Sequence, residues 1–126
     1  MLGLLALAAL CLALWLQPRR IIDKYPVIEI ETTGIHQALQ KYKTTYGKFP
    51  AGDSAAIFRA LRGENPRQIV FFQCRAGSLS KDGAMLDPWG TPYKVYFSDE
   101  EALVRSAGPN KEFDDSRNKH FDDYIR

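Results

Sequence analysis

The first sixteen residues are apolar without interruption. This segment, MLGLLALAALCLALWL, carries no charged side chain, and the sequence QPRR at residues 17–20 ends it. A helix that crosses the hydrocarbon core of a bilayer needs about 20 apolar residues, with about 17 as a lower bound. A signal peptide has a basic stretch before its core and small residues at its cleavage site, and neither is present. The pattern therefore favours a membrane helix over residues 1–20 rather than a cleaved signal, followed by one folded unit over residues 21–126.

The next periodic stretch predicts a long amphipathic helix from near Pro26 to Tyr46. Apolar residues recur there at intervals of three and four, which is the period of one helix face. They are Ile35, Ala38, Leu39, Tyr42 and Tyr46. A glycine and a proline soon after Tyr46 are typical of a helix end. The start is ambiguous, because residues 27–32 alternate like a strand and Gly34 weakens a helix.

The remainder of the chain predicts shorter elements. The expected elements are a second helix from Asp53 or Ser54 to Leu61, a strand or buried turn at 69–72, and hairpin strands at 93–97 and 102–106. The order helix, helix, antiparallel hairpin indicates an α+β fold with a small antiparallel sheet and an acidic C-terminal loop.

A rigid corner is expected before the first hairpin strand, in the sequence LDPWGTPYKV at residues 86–95. Its two prolines fix the backbone path and Gly90 permits a bend. Trp89 stands where a turn is usually polar. We expect its ring to pack against the long helix near Tyr42 or Tyr46.

Composition and charge exclude several classes of protein. The formal net charge is +2, and no basic block is longer than residues 19–20, which argues against nucleic-acid binding. Cys74 is the one cysteine outside the apolar segment and is expected to be a buried small hydrophobe. No nucleophile–base pair is recognisable around His36 or His120, and no phosphate loop is present. The sequence therefore predicts that the protein is not an enzyme.

The C-terminal residues suggest a metal site by their composition. Oxygen-bearing side chains follow a Gly-Pro turn, at Asn110, Glu112, Asp114, Asp115, Asp122 and Asp123. Calcium binds six to eight oxygens from carboxylates, amides and backbone carbonyls. The alternative is a solvated tail in which Lys111, Arg117 and Lys119 balance the acids. The spacing is not that of an EF-hand.

Several of these sequences together resemble a known family. They are QALQKYKTTYGKFP, LDPWGTPYKV, VRSAGPNKEFDD and the final FDDY, in that order. The chain resembles the major pseudopilin, or protein G, of type II secretion systems, a type IV pilin-like family. The resemblance covers roughly residues 35–126. It implies a structural subunit whose N-terminal helix packs in a filament that drives protein export.

The resemblance also implies a location, partners and a cofactor. The location is the bacterial inner membrane, crossed once, with the head in the periplasm. The partners are other copies of the chain, other pseudopilins, inner-membrane components of the secretion assembly and membrane lipid. The cofactor is calcium in the loop after the last strand. Carried over by position, its ligands are the side chains of Asn110, Asp122 and Asp123 and the backbone carbonyls of Ala107 and Glu112.

The chain departs from the family in its loop and at its N-terminus. Asn110 replaces an aspartate, and about six extra residues, roughly 116–121, lengthen the loop, so that Asp114 and Asp115 compete as ligands. The leader and the Gly-Phe-Thr-Leu-x-Glu motif that the prepilin peptidase recognises are missing before Asp23. We therefore expect the true translation start to lie upstream of Met1, which the preceding genomic codons test. The alternative is a membrane-tethered or secreted binding module that uses a pilin-like head without forming filaments.

Overall fold

The computed structural model describes residues 24–114 and 124–125. The helices are α1, Lys24–Tyr46, and α2, Ser54–Leu61, and the strands are β1, Lys94–Phe97, β2, Ala102–Ser106, and β3, Tyr124–Ile125. The expected α+β class is confirmed. The membrane helix predicted for residues 1–20 lies outside the described residues, and none of the helices within them is long and apolar enough to cross a bilayer.

The ambiguous start of α1 is helical. Residues 27–32, which alternate like a strand, lie inside the helix, which the structure describes from Lys24 onward. The pattern is also compatible with a helix, because Ile28 and Thr32 are buried one helical turn apart and face the core. Gly34 does not interrupt the helix. A Cβ atom there would lie 3.0 Å from the ring of Phe72, so the glycine allows close packing.

Helix α2 begins where the sequence predicts. The Asp53 side chain accepts a hydrogen bond from the Ala56 N–H at 2.9 Å, which is an N-cap. After α2 the chain folds back, and residues 71 and 72 lie against the last residue of this helix. The N–H groups of Phe71 and Phe72 both donate to the Leu61 carbonyl, and residues 69–72 are an irregular, partly exposed segment rather than a strand or a buried turn.

The sheet is antiparallel, in the order β1-β2-β3. The β1–β2 register pairs Val95 with Val104, and β3 pairs with β2 through Arg105 and Ile125. Helix α1 packs across β2, and the core forms between them. The fully buried residues of this core include Ile28, Ile35, Leu39, Phe58, Leu61, Met85, Tyr93 and Val104.

Two aromatic expectations need correction or refinement. The Trp89 ring contacts Tyr25 at the start of α1, with ring centroids 5.8 Å apart, rather than Tyr42 or Tyr46. The place near Tyr42 is taken by Phe71, whose ring centroid lies 5.3 Å away. The corner before β1 therefore lies at the beginning of α1, and the hairpin that follows the corner runs along this helix. Cys74 is half-buried, and burial raises the pKa of its thiol.

Candidate metal-binding loop

The corner before β1 is organised around one buried carboxylate. Asp87 is 2% exposed, and its Oδ1 accepts hydrogen bonds from the N–H groups of Trp89 at 3.0 Å and Thr91 at 2.9 Å. Gly90 takes a φ of +92°, a conformation that other residues rarely adopt. The carboxylate therefore holds the turn closed from within.

The same carboxylate anchors the chain that leaves β2. The Ser106 hydroxyl donates to Asp87 Oδ2 at 2.6 Å, and the Gly108 N–H donates to Ser106 Oγ at 3.1 Å. Ser106 is fully buried. Residues 87 and 106 are far apart in the sequence, so this relay fixes the start of the C-terminal loop against the corner.

The loop itself, residues 107–114, is shaped by Asn110. The Asn110 Oδ1 accepts from the Glu112 N–H at 2.9 Å, and its Nδ2 donates to Asp114 Oδ2 at 2.8 Å. Lys111 has a positive φ of 61° between them. Asp114 is only 6% exposed. The Asn110 amide thus bridges the Glu112 N–H and the Asp114 carboxylate.

The carbonyls of Ala107 and Glu112 are among several in this loop that accept no hydrogen bond from the residues that the structure describes. Ala107 is fully buried, whereas Glu112 is exposed. A buried carbonyl is normally paired with a donor, water or a cation. These are the two carbonyls that the sequence resemblance assigns as calcium ligands.

Basic and aromatic groups fasten the loop to the sheet. The Phe113 ring lies between two cations, with Lys94 Nζ 4.1 Å and Arg105 Cζ 5.5 Å from its centroid. Arg105 also donates to the Asp114 carbonyl. Phe113 therefore fixes the loop to the outer side of the hairpin, which a solvated tail would not require.

The predicted ligands are only partly brought together. Ala107, Asn110 and Glu112 share the loop, and Asp122 and Asp123 lie outside the described residues. Among residues 24–114 and 124–125 there is no group of three or more His, Cys, Asp or Glu side chains able to hold a metal. The described residues of the proposed site therefore offer backbone carbonyl oxygens and the side-chain amide oxygen of Asn110. The carboxylate beside them is that of Asp114, which contacts Asn110.

Sequence reasoning missed the roles of Asp87 and Ser106. Asp87 adjoins Pro88, and Ser106 lies two residues before Gly108, so each is typical of an ordinary turn in the sequence. Only their contact shows that the two turns form one unit.

A buried polar group under the corner was missed as well. Glu31 on α1 accepts from Arg75 Nε at 2.7 Å and from the Tyr93 hydroxyl at 2.6 Å. Burial, reinforced by the hydrogen bond to Glu31, raises the pKa of Tyr93 far above its usual value. Tyr93 therefore stays neutral and acts as a donor that ties the corner to the helix.

An apolar groove lies beside these groups on α1. It measures about 510 Å³, and its lining includes Val27, Ile30, Gly34, Phe72 and Met85. Ile30 is 73% exposed at its rim. Such a groove is a feature of binding surfaces.

No family model, curated protein or solved structure matches this chain.

Proposed function

We propose that this protein is a pseudopilin-like structural subunit of a type II secretion filament or of a related type IV pilus-like filament. One observation carries the proposal. The two sequence blocks most specific to the resemblance, the Asp87 corner and the Ser106–Asn110 turn, meet through the 2.6 Å bond from Ser106 to Asp87. This contact gives both blocks one structural purpose, which is to position the C-terminal loop.

The loop is proposed to bind calcium. The carbonyls of Ala107 and Glu112 and the side chain of Asn110 would supply neutral oxygens, and Asp122 and Asp123 the charge. Calcium accepts such a mixed set on a curved loop. The buried carbonyl of Ala107, which has no donor among the described residues, supports this assignment, because a cation would satisfy it. When bound, calcium would bridge the loop and the chain end that follows it.

The proposed mechanism is mechanical rather than catalytic. The predicted N-terminal helix, residues 1–20, would pack through its apolar segment with those of other copies, and the heads would form the outer layer. One head-to-tail contact repeated by a screw operation builds an open helix. Growth of that helix from the inner membrane would push exported protein outward.

Filament formation tests this function directly. The full chain, with its upstream leader if one is encoded, is expressed together with a type II secretion assembly, and filaments are counted by electron microscopy. A Leu7→Asp variant places a charge in the apolar segment and is expected to abolish filaments, whereas an Asp99→Asn variant in the exposed hairpin turn should not. Absence of filaments with the unmodified chain would refute the filament role.

Calcium binding is tested by thermal unfolding. A ligand at 100 times its Kd stabilises the folded state by about 2.7 kcal/mol, which raises the Tm of a domain of this size by roughly 10 °C. We expect such a shift with calcium, and its loss in the Asp122→Ala, Asp123→Ala double variant. A matched double variant in the hairpin turn, Asp99→Ala with Glu101→Ala, should keep it. A Tm that does not respond to calcium would exclude the site.

A second candidate function is a membrane-tethered binding module. The apolar groove beside Ile30 supports it, because a large exposed aliphatic side chain at the rim of a groove is typical of a docking surface. The filament experiment separates the two candidates, since a binding module would be present at the membrane without polymerising.

A further inference from the structure

Strand β1 has a free edge. At the turn, the Ser98 N–H donates to the Glu101 carbonyl at 2.9 Å, which makes this a hydrogen-bonded pair. Such pairs alternate with non-hydrogen-bonded pairs along an antiparallel ladder, so Tyr96 and Lys94 direct their backbone groups to β2. The N–H and C=O groups of Val95 and Phe97 therefore point away from β2. No hydrogen bond reaches them in the described part of the chain.

This edge is closed at both ends. Before it, the Tyr93 N–H donates to the Met85 carbonyl at 3.0 Å, and the Tyr93 carbonyl accepts from the Ser54 hydroxyl at 2.8 Å. After it, the Asp99 carbonyl accepts from Lys43 Nζ. The backbone available for further pairing thus runs from Val95 to Phe97.

We propose that this edge pairs antiparallel with the same edge of a second copy of the chain, with the two-fold axis at Tyr96. In this register Val95 of each copy lies opposite Phe97 of the other. Each of these two pairs exchanges both of its backbone hydrogen bonds, so every free group of the edge is satisfied. Centring the axis on Val95 would require the occupied backbone of Tyr93, and centring it on Phe97 would require the occupied carbonyl of Asp99.

The side chains around the edge complement one another in the same register. Tyr96, which is 46% exposed on the outer face, meets Tyr96 of the second copy as a non-hydrogen-bonded pair, where opposite side chains come closest. Exposed Lys94 lies opposite Ser98 of the second copy, beside the exposed acid Asp99. The strand has a cation at one end and acids at the other, which is the arrangement that antiparallel self-pairing requires. This charge pattern identifies the partner as a second copy.

The contact is short, so the isolated dimer is weak and exchanges rapidly. Disulfide trapping detects such a contact. In the full chain in detergent micelles, with Cys11 and Cys74 replaced by serine, a Tyr96→Cys variant should form a disulfide-linked dimer under mild oxidation. Leu103→Cys is the matched control, because Leu103 is 41% exposed on the same face but lies on β2, away from the edge.

The control also accounts for chains that associate through their apolar N-terminal segments. Random collisions between such chains would form disulfide-linked dimers of both variants, at position 96 and at position 103. Equal rates of dimer formation at positions 96 and 103 would overturn the proposal. Circular dichroism checks that both variants are folded.

Charge exchange gives a second, independent measurement. On the Tyr96→Cys background, Lys94→Glu should reduce the rate of dimer formation, because it places like charges together. Adding Asp99→Lys should restore the rate. Failure of the double exchange to restore it would contradict the proposed register. The measurement uses purified protein without other secretion components, so its outcome does not depend on the filament function.

Discussion

The corner at Asp87 and the loop at 107–114 are both tight turns rich in proline, glycine and acids, yet they use their polar groups differently. At the corner, both carboxylate oxygens of Asp87 accept protein hydrogen bonds and the side chain is buried. In the loop, the buried carbonyl of Ala107 accepts no hydrogen bond from the described residues, and Asn110 lies at the surface. A buried carboxylate with both oxygens paired is complete by itself, whereas a buried carbonyl without a protein donor has capacity for a ligand. This difference separates a structural motif from a candidate site.

The largest expected effect comes from removing the carboxylate of the corner. Asp87→Ala leaves two N–H groups and the Ser106 hydroxyl without their buried acceptor, and should lower the free energy of unfolding by about 3 kcal/mol or more. Urea denaturation measures the change. Asp99→Ala, in the exposed hairpin turn, is the control and should be close to neutral. A neutral Asp87→Ala would show that the corner is not held from within.

Ser106→Ala breaks the link between the two regions. It removes the donor to Asp87 and the acceptor of the Gly108 N–H, both buried, and should destabilise the protein by about 2 kcal/mol. Because the start of the loop is then released, the calcium-induced rise in Tm should also shrink. If the Tm shift stays unchanged, the corner does not position the loop.

Tyr93→Phe tests the support beneath the corner. Loss of the bond to Glu31 should reduce stability at neutral pH by about 1 kcal/mol. The folded pKa of Tyr93 is raised, so above pH of about 10 the unfolded chain loses this proton while the folded protein keeps it. The stability of the unmodified protein should therefore fall as pH rises, by up to about 1.4 kcal/mol per pH unit from this group.

The variant should show a flatter alkaline slope, measured by denaturation between pH 9 and pH 11, roughly the range that brackets the ordinary tyrosine pKa. Tyr96→Phe is the matched control, because it removes the phenol hydroxyl of an exposed tyrosine. Equal changes of slope in both variants would count against a special role for Tyr93.

The smallest expected effect is at Asn110. Asn110→Asp removes the hydrogen bond that the Asn110 amide donates to Asp114 Oδ2 at 2.8 Å. Because residue 110 is exposed and its new carboxylate can turn to solvent, the cost without calcium should be about 1 kcal/mol. With calcium the sign should reverse, because the added charge favours the cation. Melting curves with calcium and with a chelator measure both. Destabilisation under both conditions would argue that Asn110 serves only the loop's own hydrogen bonds.

Local patterns in the sequence were sufficient for much of the fold. The recurrence of Ile35, Leu39 and Tyr42 at helical spacing located α1, and Asp53 before an apolar stripe located α2. The hairpin followed from two β-branched and aromatic runs around a polar turn. These features depend on neighbours within a few residues, so the sequence contains them.

The expectations that the structure corrects depend instead on contacts between residues far apart in the chain. Residues 27–32 alternate like a strand in the sequence, but their buried residues, Ile28, Glu31 and Thr32, lie at helical spacing and face a core that the local pattern does not specify. The sequence places Trp89 at the wrong end of α1, since its ring contacts Tyr25. Residues 62–85 bring the corner back to Tyr25, and this segment has no periodic pattern that would predict its path.

The sequence by itself determined the α+β class, the places of both helices and the hairpin, and the oxygen-rich composition of the C-terminal loop. It did so because periodicity, caps and turn residues act over a few positions. The tertiary structure decided that Asp87 is the anchor of that loop. It also decided that, among the residues it describes, the buried Ala107 carbonyl meets no donor and the β1 edge from Val95 to Phe97 meets no other strand. Each of these depends on whether a polar group meets a partner far away in the chain. That question is answered only when the elements pack together.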